Sequence, residues 1–109
     1  MNTNTVSFHT SRGYIFIDTD QIVRMEASSN YTHVYLANKQ KLVMARVLRT
    51  FENELAVYGF IRTHRTHLVN RRHIRAVTPG GAIIMKDDSR AEISRRLKHK
   101  VMRCLRQAS

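Results

Sequence analysis

Apolar residues in this chain fall in short runs that turn residues interrupt, and this pattern constrains the fold more than any other feature of the sequence. Residues 6–9 and 14–17 alternate apolar and polar side chains, which is typical of half-buried strands, with Arg12-Gly13 as the turn between them. Residues 34–36 and 41–44 flank a predicted hairpin tip at residues 38–40. The first 44 residues therefore predict a series of short β-strands.

The second half returns to this pattern after one change of period. Val47, Leu48, Phe51 and Leu55 recur at helical spacing and predict an amphipathic helix over residues 45–57, with Gly59 following its end. Strand-like runs follow, and they are separated by turn residues at 78–81 and 87–89. A terminal helix is predicted by the apolar spacing of Leu97, Val101, Cys104 and Leu105. The chain is thus expected to be mainly β with two helices, and residues 1–109 form one domain.

The charge of the chain is large and unevenly distributed. The formal net charge is +11, from 19 Lys and Arg against 8 Asp and Glu. Residues 1–60 contain six basic and five acidic side chains, whereas residues 61–109 contain thirteen basic and three acidic ones. A basic excess skewed in this way is typical of proteins that bind polyanions, although a basic and inert surface is the alternative.

Cysteine content and hydropathy indicate where such a chain would act. A single cysteine, Cys104, allows no internal disulfide, which favours a reducing cytoplasm. The N-terminal residues lack the basic and apolar regions of a signal peptide, and no apolar run approaches the roughly 20 residues of a membrane span. A cytoplasmic location without membrane association is expected.

Metal binding and catalysis receive little support from the residues. His64, His67 and His73 could meet on a turn, but the stretch around them contains arginines and no cysteine or acidic residue. Cys104 falls on the apolar stripe of the last helix, where a buried structural thiol is expected. No paired carboxylates or phosphate-binding glycine motif stand out. The chain is expected to have no cofactor, no metal and no enzymatic activity.

Three stretches mix arginine with small polar residues and histidine, namely residues 28–33, 62–66 and 94–96. Arginine forks match phosphate oxygens and the edge of guanine, and small polar side chains fix the register on the nucleic-acid backbone. Each stretch falls at a predicted loop or element end, and no helix-turn-helix pattern is present. Reading of double-stranded DNA by loops is the favoured function.

The same stretches carry a family resemblance. Residues 22–27 (IVRMEA), Asn30-Tyr31, the helix with Phe51, residues 60–70 (FIRTHRTHLVN) with Ile74, and residues 93–96 (ISRR) together resemble the LytTR DNA-binding domain. The resemblance runs from about residue 12 to 104. It implies an elongated stack of small antiparallel β-sheets, whose loops enter successive major grooves.

The resemblance also implies partners and residue roles. Such domains form the output end of bacterial two-component response regulators, so a sensor kinase or receiver domain would act upstream, and two protomers commonly bind direct repeats. Carried over by position, Thr32, Arg65 and Arg96 would contact base edges. The DNA backbone would be contacted by Asn30, Tyr31, His33, Arg62, His64, Thr66, Ser94 and Arg95. Arg49 and Lys98 join this set by charge and neighbourhood only.

Alternatives remain open for the function and for single residues. An RNA-binding β module would share the charge, and a protein adaptor could use the same basic face on an acidic partner. His67 stands where the family usually has an aromatic residue and is expected in the core. Asn70 is expected to cap the turn at residues 71–73, and His64 could hydrogen-bond within its own turn.

Overall fold

The computed structural model describes residues 4–107, which form three antiparallel sheets and two helices. The strands are β1 (Thr5–Thr10), β2 (Gly13–Asp18), β3 (Ile22–Ser28), β4 (Tyr31–Leu36), β5 (Lys41–Met44), β6 (Phe60–His64), β7 (His67–Asn70), β8 (Ile74–Val77), β9 (Ala82–Met85) and β10 (Arg90–Glu92). The helices are α1 (Leu48–Leu55) and α2 (Lys98–Arg106). The prediction of a mainly β chain built from small antiparallel sheets is confirmed.

A five-stranded sheet with the order β5-β4-β3-β7-β6 occupies the centre of the molecule. The hairpin β1-β2 and helix α1 cover one face, and the three-stranded sheet β10-β9-β8 covers the other. Strand β3 is central, and four successive residues of it, from Ile22 to Met25, are buried. A register shift between Ile22 and Arg24 turns both Ile22 and Met25 toward the same core.

Two apolar cores follow from this layering. The larger core is built around Phe8, Met25, Phe51, Leu55 and Leu68, which are all fully buried. The smaller core contains Val23, Val69, Ile83, Met85 and Ala91, with Ile61 packed against it. Neighbouring residues of one strand therefore enter different cores, as Leu68 and Val69 do, because side chains alternate across a sheet. This alternation anchors the basic stretch 60–72 on both faces of the central sheet.

Helix α1 begins three residues later than predicted. Val47, placed on the apolar face by the spacing, precedes the helix in extended conformation and is 56% exposed. Leu48, Phe51 and Leu55 form the buried face as expected. A 3₁₀ turn follows the helix, and Gly59 ends it with a φ of 89°, a left-handed conformation that favours glycine.

Two of the expected polar positions are confirmed inside this frame. The buried side chain of Asn70 accepts a hydrogen bond from the Arg72 N–H at 3.0 Å and donates to the carbonyls of Thr19 and Ile22. It therefore caps the turn at residues 71–73, as predicted. His67 is buried in β7, as expected for a core histidine, and its Nδ1 has no hydrogen-bond partner among the described residues.

The buried position of His67 predicts how stability depends on pH. Burial lowers the pKa of His67, although Glu26 on the neighbouring strand opposes the effect. The unfolded chain then takes up a proton near pH 6.5, whereas the folded chain takes it up only at lower pH. The free energy of unfolding should therefore fall as pH decreases from 7.5 to 5, a window that lies above the ordinary carboxylate pKa values.

Urea unfolding of His67→Phe at these two pH values measures that dependence. The variant should lose part of the pH dependence and stay as stable as the wild type at pH 7.5, because it removes an unsatisfied buried nitrogen. His99→Gln, which changes an exposed histidine, should keep the full dependence. An unchanged pH profile in His67→Phe would show that other groups cause it.

Neither helix among residues 4–107 has the length and apolar character needed to cross a membrane.

Candidate nucleic-acid interface

Backbone hydrogen bonds bring the three polar stretches to one end of the central sheet. The Ala27 N–H donates to the Thr66 carbonyl at 2.9 Å, which joins the β3–β4 turn to the β6–β7 turn. The Ser94 N–H donates to the Thr63 carbonyl at 2.8 Å, which adds the segment between β10 and α2. Stretches that are up to 60 residues apart in sequence therefore form one surface, here called the basic end.

The first stretch contributes less to this surface than its sequence suggests. Asn30 and Tyr31 are exposed, and His33 is half-buried with its ring edge toward Tyr35. Thr32 is fully buried, and its hydroxyl donates to the Arg46 carbonyl at 2.6 Å. The base contact of Thr32 stays a prediction, and in this structure strand alternation turns its side chain into the interior, toward Arg46.

The second stretch forms a two-residue hairpin loop, Arg65-Thr66, between the paired residues His64 and His67. Two-residue hairpins usually adopt turns with positive φ at one or both central residues. Neither Arg65 nor Thr66 has a positive φ. The turn therefore departs from the usual two-residue type, and a register shift between Arg62 and His64 lies directly beside it. Side-chain hydrogen bonds also hold this turn.

Arg62 forms three hydrogen bonds at this turn. Its Nε–H donates to the His64 carbonyl at 2.9 Å, and its Nη2 donates to the Arg65 carbonyl at 2.5 Å. Its Nη1 donates to Glu52 Oε1 of α1 at 2.6 Å. The phosphate contact of Arg62 stays a prediction, and in this structure its half-buried guanidinium already holds these three partners.

His64 and Thr66 are engaged in the same turn. His64 Nδ1 accepts a hydrogen bond from the Thr66 N–H at 3.1 Å and lies 2.8 Å from the Thr66 hydroxyl. Both side chains are half-buried. His64 therefore hydrogen-bonds within its own turn, which was the alternative to a DNA contact. Arg65 is exposed beside them, and none of the described carboxylates pairs with it.

The third stretch forms the entry to α2. Ser94 is half-buried, and its hydroxyl oxygen accepts a hydrogen bond from the Leu97 N–H at 3.2 Å. Ser94 thus caps a turn, and its phosphate contact stays a prediction. Arg95, Arg96 and Lys98 are exposed, and none of them forms an ion pair within residues 4–107.

A cleft of about 350 Å³ separates α1 from the turns of the second and third stretches. It is lined by Arg49, Glu52, Arg62, Arg65, Arg96, Leu97 and Lys100. Arg65 and Arg96, the two remaining candidates for base contact, therefore face the same space. Lys100 and Glu52 were not predicted as site residues, although the charged side of each helix contained them. Only the fold shows that both line the same cleft.

Acidic side chains neutralise the opposite end of the molecule. Asp20 pairs with Arg72 at 2.7 Å, and Asp88 pairs with Arg75 at 2.6 Å. These ion pairs neutralise the charges of Arg72 and Arg75. At the basic end, Glu52 is the carboxylate that lines the cleft. Arg65, Arg95, Arg96 and Lys98 stay at the basic end without an ion pair among the described residues, an arrangement that attracts a polyanion.

Residues 4–107 contain no group of three or more His, Cys, Asp or Glu side chains placed to hold a metal ion. His64 and His67 do approach each other, with ring centroids 5.6 Å apart, but His67 is buried. Cys104 is partly buried on α2. The expected absence of metal, cofactor and catalysis stays a prediction.

Comparisons with known proteins identify the family that this chain resembles. The family model described as the LytTr DNA-binding domain matches residues 12–106. A solved structure described as the LytTr DNA-binding domain of a putative methyl-accepting/DNA response regulator from Bacillus cereus is similar, with a TM-score of 0.75 and 26% sequence identity. That similarity covers 96% of this chain and 97% of the other. No curated protein sequence matches significantly.

Proposed function

The chain belongs to the LytTr DNA-binding domain family, and from this membership we propose that it binds double-stranded DNA sequence-specifically through the turns of its basic end. The family binds DNA and regulates transcription as the output domain of response regulators. It is a DNA-binding family and not a catalytic one. The observation that carries the finer proposal is the cleft in which Arg65 and Arg96 stand exposed without carboxylate partners of their own.

Two classes of contact are proposed from exposure and charge. Arg65 and Arg96 read base edges, because an unpaired guanidinium on a rigid turn can present its fork to guanine. Phosphates are held by the exposed or half-buried residues around them, namely Asn30, Tyr31, His33, Arg49, Arg95, Lys98 and Lys100. Thr32, Arg62, His64, Thr66 and Ser94 shape the turns instead.

The proposal places two parts of the basic end in successive major grooves, as the family resemblance implies. The Asn30-Tyr31 turn and the Arg65–Arg96 cleft are the two parts of the basic end that would enter the grooves.

The proposal extends to assembly and regulation. Two protomers bind direct repeats of the site, and a receiver domain or sensor kinase acts upstream. The cytoplasm is the proposed location, because a transcription regulator must reach DNA.

Selection from a random duplex-DNA pool at roughly 150 mM salt tests the proposal, since this salt weakens non-specific phosphate binding. We expect the pool to converge on a short motif that is repeated in one orientation about one helical turn apart. Folded protein that enriches no duplex but binds single-stranded RNA would contradict DNA reading and favour an RNA-binding module.

A further inference from the structure

A carboxylate lies where DNA binding alone does not explain it. Glu52 lines the cleft together with Arg49, Arg65 and Arg96, and its side chain is 38% exposed. A negative charge at this place repels the phosphates that the surrounding cations attract. Glu52 is therefore expected to contribute to binding in a way other than through its charge.

The contacts of Glu52 indicate that contribution. Its Oε1 accepts a hydrogen bond from Arg62 Nη1 at 2.6 Å, and the other nitrogens of the same guanidinium hold the carbonyls of His64 and Arg65. One planar group thus connects α1 to the β6–β7 turn. Arg65-Thr66 lacks the positive φ that suits a two-residue hairpin. These hydrogen bonds therefore stabilise a turn that backbone preference alone does not favour.

We infer that Glu52 is a positioning residue for sequence readout, which acts through Arg62 on the orientation of Arg65. This inference rests on the proposed function. Glu52 keeps the Arg62 guanidinium against the turn. Without Glu52, this guanidinium would turn toward solvent or a DNA phosphate. Once Arg62 leaves, the carbonyls of residues 64 and 65 lose their donors and Arg65 explores more orientations. Ordering Arg65 again on binding then lowers affinity for the correct sequence.

The inference and simple electrostatics predict opposite results for Glu52→Ala. Loss of a negative charge should strengthen binding to every duplex by a similar factor. Loss of positioning should instead lower the affinity for the selected duplex relative to that for a scrambled duplex by about tenfold. This factor is within the discrimination that one bidentate base contact provides. Dissociation constants on these two duplexes at roughly 150 mM salt measure the ratio.

Glu52→Gln separates charge from hydrogen bonding. The amide oxygen of glutamine still accepts a hydrogen bond from Arg62 but carries no charge. We expect an affinity ratio between those of the wild type and Glu52→Ala. An electrostatic role alone would make the two variants equal.

Glu54→Gln is the matched control, because it removes the same charge from the same helix. Glu54 pairs with Arg46, and neither residue bonds the carbonyls of residues 64 and 65. Its affinity ratio should equal that of the wild type. Partial unfolding would not imitate the expected result, since a smaller folded fraction lowers both apparent affinities alike. An unchanged ratio in Glu52→Ala overturns the inference.

The wild-type protein distinguishes this failure from failure of the proposed function. If the wild type binds selected and scrambled duplexes equally, sequence-specific DNA binding itself is wrong. If the wild type discriminates and Glu52→Ala discriminates equally well, only the positioning role is wrong.

Discussion

Replacing Phe51 by alanine should lower the free energy of unfolding by about 3–5 kcal/mol, the usual cost of truncating a fully buried phenylalanine. Phe51 is 0% exposed, and its ring centroid lies 5.6 Å from that of Phe8 on β1. The Arg46 guanidinium lies over the Phe51 ring, 4.4 Å from its centroid. The substitution therefore leaves a cavity between the hairpin, the central sheet and α1. Urea unfolding followed by circular dichroism measures the change.

Phe16→Ala is the control for this prediction. Phe16 lies on the adjacent strand of the same hairpin and is 72% exposed, so its truncation should change the free energy of unfolding by less than about 0.5 kcal/mol. Small domains are stable by only about 5–15 kcal/mol, so a loss of 3–5 kcal/mol would be evident at moderate urea. A loss below about 1 kcal/mol for Phe51→Ala would show that α1 packs loosely, and the cleft beside α1 would then not be rigid.

Local signals in the sequence were sufficient for most strands and turns. The tip at residues 38–40 and the turn at residues 78–81 were predicted from turn residues between alternating runs, and both are present. The turn predicted at Arg12-Gly13 lies one residue earlier, at residues 11–12, and Gly13 begins β2. Such features depend on a few neighbouring residues and on backbone preferences. The start of α1 was placed too early because Val47 fits the helical spacing, although it is exposed in an extended conformation.

The candidate site was harder to predict than the strands, because contacts between residues distant in sequence determine it. Thr32 was placed on the DNA side by resemblance, but the register of β4 with β5 turns its hydroxyl toward Arg46. Arg62 was predicted as a phosphate contact by the same resemblance, and its partner Glu52 lies ten residues away on a helix. A basic stretch gives the number of cations but not which of them the fold neutralises.

Folding therefore gives the arginines of the second half different roles. Arg72 and Arg75 pair with aspartates at one end of the molecule, and Arg62 holds a turn. Arg65 and Arg96 stay exposed at the basic end, and like Arg95 they pair with none of the described carboxylates. Paired guanidinium groups have their forks occupied, so exposed arginines without a partner can give new bidentate contacts without breaking existing ones. Among them we expect the loss of Arg65 to affect DNA binding most, because its turn is held in place by Arg62.

Replacing Arg65 by alanine should weaken binding to the selected duplex by about 1–3 kcal/mol and relax the preference at one base position. The side chain is exposed on a turn that Arg62 and His64 hold, so it reaches a base with little cost of ordering. A second selection with the variant protein, compared position by position with the wild type, measures the change. The dissociation constant on a scrambled duplex should change much less.

Two matched variants separate base reading from charge. Arg65→Lys keeps the charge but loses the planar fork, so it should lose the base preference as Arg65→Ala does while retaining more affinity for scrambled DNA. Lys98→Ala removes a proposed phosphate contact, so it should weaken binding to all sequences alike and reduce the slope of log affinity against log salt by about one. Should Arg65→Ala lose affinity equally on selected and scrambled duplexes, Arg65 would also be a phosphate contact. Arg96 would then be the residue of this cleft left to account for sequence preference, because it is the other exposed guanidinium proposed to read bases.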